Sequence, residues 1–346
     1  MKKARLAVIS LAALIALAIA ATATAAYGTA ALSVSYAPGG VTRIVAVSDA
    51  ADDATARAAI IIPNGTTLDT SAAPGTKVGT VKAQVSALAL GGALLPLAGD
   101  IMVAAPGTVP AASQTACVGA LPVTTTYLLV LSAAGQTINL PAYVTPAVAT
   151  LSAFGTSQLV FCLAPPDIPV DKGGATFGAK FLSADMSFTG VFSPLTAAGW
   201  FGFWTPWTPL TGIVNEAGTV VSADLILPGS VSLKGKRTAG KIALTGKATQ
   251  GGFGAPYLVR VSGAVGAKPL KFLKAVRADK NGIWKLTLAA TAKQTRFQAK
   301  TGDSEFTFGG KDAKDVCTQE FSSIPVPCSS VTISAFTAQS KVVAVK

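Results

Sequence analysis

Residues 271–290 read KFLKAVRADKNGIWKLTLAA. Asp279, Lys280, Asn281 and Gly282 form a turn signal at the centre, because Asn-Gly supplies the positive φ that a tight turn requires. Beyond it, Trp284, Leu286 and Leu288 alternate with Ile283, Lys285 and Thr287. A period of two marks a strand with one face in a core and the other in water. The stretch predicts a β-hairpin. Strand patterning continues on both sides of it, at 231–235, 241–248, 258–265, 295–300, 331–337 and 341–346. In the run from Lys241, Ile242 and Leu244 alternate with Lys241, Ala243, Thr245 and Lys247, which places the lysines on the wet face.

Charge separates this module from the rest. The chain carries a formal net charge of +12. Residues 26–228 hold six cations against ten acidic residues, whereas 229–346 hold nineteen cations against six acidic residues. Pro228-Gly229 is the expected boundary. The division is a signal peptide at 1–25, a β-sandwich region at 26–228 with a subdomain split near 114 as the alternative, and a basic sandwich at 229–346. Residues 301–330 are expected to form a long excursion from that sandwich.

The N-terminus reads as an export signal. Lys2, Lys3 and Arg5 precede an apolar run at 6–20, and Ala23-Thr24-Ala25 supplies a small-residue cleavage site. The apolar run is shorter than the roughly 20 residues a span needs. No membrane span is expected after cleavage, and a secreted or cell-surface location follows. Four cysteines, Cys117, Cys162, Cys317 and Cys328, suit an oxidising compartment and allow three pairings. The sequence-local one, Cys117–Cys162 with Cys317–Cys328, is the simplest.

Between the signal and the boundary, short apolar runs alternate with Gly and Pro punctuation, which predicts an all-β, antiparallel chain. The apolar stretch 85–105 is interrupted by Gly91, Gly92, Pro96 and Asp100, so it reads as strands joined by a turn. Residues 199–212, GWFGFWTPWTPLTG, hold three of the four tryptophans. On a strand, Trp200, Gly202 and Trp204 share one face, and Phe201 and Phe203 the other. This pattern fits a strand buried on both faces; the alternative is a sugar-stacking platform of Trp200, Trp204 and Trp207. Asp49, Asp52 and Asp53 form an acidic cluster that reads either as loop-capping carboxylates or as a calcium loop, without the Asp-x-Asp-x-Asp-Gly spacing.

The runs VSLKGKRTAGKIALTGKAT and LKFLKAVRADKNGIWKLTLAATAKQTRFQAKTGD resemble the immunoglobulin-like module of secreted and cell-surface bacterial proteins. The resemblance rests on Asp279, Gly282, Trp284, Thr295, Phe297 and Ala299. It implies an immunoglobulin-like sandwich at the C-terminus and carries no catalytic motif. Residues 26–228 are similar to exported bacterial β-proteins in QLVFCLAPPDIP, ATFGAKFLS and the tryptophan stretch, which implies no activity.

With no histidine in the chain, a Ser-His-Asp triad, a Cys-His pair and an imidazole metal site are excluded. Paired carboxylates for glycoside hydrolysis would have to come from Asp100, Asp167, Asp171, Asp185, Glu216 and Asp224, which linear sequence does not bring together. The expectation is a non-enzymatic exported protein with no cofactor and no nucleic-acid partner. Its basic module would bind an anionic wall polymer or acidic polysaccharide through Lys241, Lys247, Lys271, Lys285 and Arg296. The alternatives are a ligand-free envelope spacer and a carbohydrate-binding protein.

Overall fold

The structure is a computed structural model. It describes residues 27–346 apart from 134, 149–150, 153, 196, 228, 251–252, 255, 290–295, 302–305, 310–325, 334–337 and 346. The fold is all-β, as expected. The signal segment and Cys317 lie outside the described residues.

The strands of the first half are β1 (Ala31–Ala37), β2 (Val41–Val47), β3 (Thr55–Pro63), β4 (Lys77–Ala87), β5 (Ala93–Val103), β6 (Thr125–Ala133), β7 (Gln136–Pro146) and β8 (Gly155–Cys162). Then follow β9 (Ala179–Thr189), β10 (Ala198–Thr208), β11 (Ile213–Val214) and β12 (Val220–Ile226). A short helix, α1 (Ala111–Val118), was not foreseen in the sequence. The C-terminal strands are β13 (Gly229–Val231), β14 (Lys234–Thr238), β15 (Lys241–Gln250), β16 (Phe253–Gly254), β17 (Leu258–Ala264), β18 (Lys271–Arg277), β19 (Ile283–Ala289) and β20 (Arg296–Thr301). Last come β21 (Phe306–Gly309), β22 (Cys328–Ile333) and β23 (Val343–Ala344).

One large sheet runs in the order β1-β2-β9-β4-β5-β6-β7-β8-β3-β10-β12-β22-β21, with β11 beside β10. It curls until β1 returns to β12 and β22, forming a nearly closed barrel. Side chains bridge this seam. The Asp224 carboxylate accepts from Val34 N, and Ser330 Oγ donates to Ala30 O at 2.7 Å. Ser329 Oγ lies 2.6 Å from Ala30 O and 3.0 Å from Val221 O. A sandwich and a barrel share the same alternation along each strand, so the sequence pattern does not separate them. Pairing of β5 with β6 also runs directly across the split considered near 114.

Inward residues of this sheet build one apolar interior that includes Leu32, Ile44, Ile60, Leu129, Phe188, Trp200 and Trp204. The outer faces of β2, β4, β5 and β9 carry Arg43, Lys82, Asp100 and Asp185. That is the reverse of a membrane-spanning barrel, which turns its apolar face outward. A second core lies outside the barrel, where Cys117 and Val118 of α1 join Tyr143, Val160, Phe201 and Phe203. The disulfide Cys117–Cys162, with Cα atoms 5.6 Å apart, fastens α1 to β8.

The C-terminal strands form two further sheets. One groups β13, β14, β16 and β19 around β15; the other runs β18-β17-β20-β23. Both contribute to a single core that includes Ile242, Leu244, Val259, Val261, Trp284 and Phe297. The hairpin expectation for 271–290 is corrected here: β18 pairs with β17, whereas β19 pairs with β15. The turn is present, with Gly282 N donating to Asp279 O and Asp279 N to Ile283 O. The Asp279 carboxylate also accepts from Asn281 N and Ile283 N, both at 2.9 Å. Beyond that rung the two arms part and cross from one sheet to the other. Gly282 O accepts from Ala248 N at 2.8 Å, which docks the turn on β15 and sends β19 along it.

The expected excursion at 301–330 also takes a different course. Within it β21 pairs with β22, and β22 runs parallel to β12 in the large sheet. Val331, expected in the C-terminal sandwich, is buried in the core beneath α1 instead. The chain re-enters the C-terminal sheets only afterwards, through the Lys300–Gln339 bridge and β23.

Candidate functional site

The C-terminal sheet around β15 presents an outward cationic face. Register fixes its layout: Lys234 and Lys285 both lie opposite Thr245, and Lys236 lies opposite Ala243. Lys241 pairs with Thr238 on one side and Ala289 on the other, and Lys247 pairs with Ile283. All five lysines are exposed. The intervening residues Ile242, Leu244, Trp284 and Leu286 are buried, so the core itself forces the lysines outward. Lys234 and Lys285 are two strand spacings apart, about 10 Å, and Lys241 and Lys247 are about 20 Å apart along β15. No acidic residue occurs in β14, β15 or β19.

Of the five cations singled out in sequence, Lys241, Lys247 and Lys285 come together on this face. Lys271 and Arg296 do not: they belong to β18 and β20 of the other sheet. Arg296 is half-buried, and its guanidinium donates to Lys268 O at 2.5 Å. Lys234 and Lys236 complete the face. The alternating lysines of the KGKR run at 234–237 were the sequence signal for them, but only the β14–β15 register shows which side they take.

In the barrel, several carboxylates are engaged locally. Asp185 pairs with Arg43 at 2.8 Å, Asp100 with Lys77 at 2.7 Å and Glu216 with Arg57 at 2.6 Å. The Arg43 guanidinium holds the Asp185 carboxyl below its ordinary pKa. Asp167 accepts from Leu210 N at 2.5 Å. Buried Asp52 accepts from Gly28 N at 2.7 Å, Thr29 Oγ at 2.8 Å and Asp49 N at 3.1 Å. Its carboxylate thus ties the segment before β1 to the β2–β3 loop. Among the described residues, no group of three or more acidic or Cys side chains is placed to hold a metal ion.

The tryptophans form no platform. Trp200 and Trp204 are both 0% exposed inside the barrel, while Phe201 and Phe203 fill the core beneath α1. Trp204 Nε1 donates to Ser222 Oγ at 2.8 Å and Trp200 Nε1 to Tyr36 Oη at 3.2 Å, as buried indoles require. Trp207 is half-buried, with Nε1 donating to Leu163 O at 3.2 Å. Among the described residues, no helix is long and apolar enough to cross a membrane. No protein-family model, curated protein or solved structure matches the chain.

Proposed function

We propose that the protein is an exported, non-enzymatic binding protein whose cationic sheet face engages an anionic polymer of the cell surface. The observation that carries this reading is the convergence of five exposed lysines on three adjacent strands that contain no acidic residue. The disulfide between Cys117 and Cys162 is in keeping with an oxidising compartment. Polymer contact on such a face releases condensed counterions and weakens steeply with salt. The field is screened beyond a Debye length of about 8 Å at physiological ionic strength, so the polymer must lie against the sheet.

The test uses the whole chain, because β22 belongs to the barrel and a cut at Pro228 would split that sheet. Retention on an anionic polysaccharide column is measured across a salt gradient. Changing Lys234, Lys241, Lys247 and Lys285 together to Ala should abolish most retention, whereas each single change should cost little. A control removes the same number of charges from the other sheet, at Arg260, Lys271, Lys274 and Lys300. Equal loss in both sets would mean that net charge alone acts, and a ligand-free spacer would become the better reading.

A further inference from the structure

One end of the barrel is open and apolar. At this end the inward residues Val85, Ile138, Leu140 and Phe181 are only partly covered, although their neighbours Val81, Leu97, Leu129 and Leu131 are buried. Together these residues line part of a cavity of ≈ 510 Å³, which passes over the rim at Leu163 towards Tyr143 beneath α1. A smaller void of ≈ 40 Å³ continues inward past Ala58, Met186 and Trp204 and shares Leu129, Leu140 and Phe181 with the first. The combined space falls within the range of about 300–1,000 Å³ typical of small-molecule sites.

One loop, 163–178, lines this mouth with Leu163, Pro166, Ala175 and Thr176, and two other loops pack against it. The Leu210 amide donates to Asp167, and the space beside Gly212 is filled by Ile168. Gly178 lies against Leu88 and Pro166 O in the same way. These loops and the adjoining strand ends expose Leu88, Leu90, Leu94, Val170, Leu210 and Ile213 to solvent, Leu210 by 77%. Among the described residues, the only non-glycine residues with positive φ are Phe177 and Leu210, at 58° and 62°. Both are bulky apolar residues of these rim loops. Such a conformation costs about 1–3 kcal/mol and persists where the surroundings impose it, typically at ligand sites.

One cation stands in the cavity wall. Lys180 Nζ is held by Ala50 O at 2.7 Å and by Asp52 O. Two of the three donors of the ammonium are thus engaged, and the carboxylates of Asp49, Asp52 and Asp53 lie close enough to act on its charge.

We infer that the barrel mouth binds a single long acyl chain, of the fatty-acid class, with the chain among Val85, Leu129, Leu140 and Phe181 and the carboxylate beside Lys180. The walls are mostly aliphatic and aromatic, further apolar side chains are exposed on the adjoining loops and strand ends, and the cation stands half-buried in the cavity wall. This site is separate from the cationic sheet face and stands or falls independently of it.

The full-length protein is titrated with cis-parinaric acid, whose fluorescence rises in apolar surroundings, followed by displacement with unlabelled saturated fatty acids of increasing length. Saturable binding is expected, strengthening about fourfold per added methylene until the cavity is full. Non-saturable uptake, or affinity independent of chain length, would overturn the proposal without any variant being needed. Ala83→Trp, which places an indole in the cavity, should abolish binding while circular dichroism and melting show the fold retained. Undiminished binding in that variant would also overturn it. Lys180→Met should weaken the fatty acid but not the matching fatty alcohol; an unchanged fatty-acid affinity would overturn the headgroup assignment.

Discussion

Tyr127 lies inside the barrel with its ring edge-on to Phe188, centroids 5.7 Å apart. Its hydroxyl is buried with no hydrogen-bond partner among the described residues. Burial pushes the phenol pKa up to about 12, with a smaller contribution from the negative charge of Asp69. The folded protein therefore holds a proton that the unfolded chain releases near pH 10. Stability from this group is complete below pH 10 and declines towards pH 12, by up to about 1.4 kcal/mol per pH unit. Tyr127→Phe removes an unsatisfied polar group, so it should stabilise the protein by about 1 kcal/mol at pH 7. The gain should widen above pH 10. Denaturant melts at pH 7 and at alkaline pH check both, and a gain that shrinks above pH 10 would contradict the assignment. At this scale the sequence was partly legible. Alternation along 200–204 separated Trp200 and Trp204 from Phe201 and Phe203, because strand geometry alone decides it. It did not reveal what packs against the two phenylalanines: Phe154 lies on Phe201, and α1, a segment with no periodicity long enough to stand out, adds Cys117 and Val118 to the same core.

Two turn glycines show how much an element depends on what lies beside it. Gly240, in the β14–β15 turn, has φ +77° and open space where a Cβ would stand. Gly282 has nearly the same φ, +75°, but a Cβ there would come within 2.0 Å of Ala248 O. Gly240→Ala should cost about 1 kcal/mol, the conformational penalty alone. Gly282→Ala should cost at least twice as much, since it must also break the contact of the turn with β15; equilibrium denaturation of the two variants gives the comparison. Equal costs would mean that the docking contributes nothing. The same contact explains the misread hairpin. Asp279 to Gly282 carry every signal of a tight turn, and the turn forms. Whether its arms pair with each other or with other strands is decided by Ala248, well outside the stretch, and local chemistry does not encode that choice.

Across the whole molecule, the charge division at Pro228 was legible, but the structural division does not follow it. Composition reports where lysines are affordable on a surface, not which strands pair. The barrel takes β22 from beyond the basic strands, and Asp224, Ser329 and Ser330 close the seam against β1. A chain ending at Pro228 lacks β21 and β22 and leaves β12 an open edge, which invites pairing with other chains. Such a fragment should melt well below the full protein and self-associate, as calorimetry and light scattering would show; a monomer with an unchanged melting temperature would refute this role for β22. The seam also governs timing. Ser329 and Ala30 are 299 positions apart in sequence, so the bond between them cannot form until all of the polypeptide between them has been delivered. Segments that must find each other over such a distance make for slow folding. A protein emerging N-terminus first would pass through a long-lived stage with its barrel ajar, in which the apolar interior is within reach of chaperones and of proteases alike.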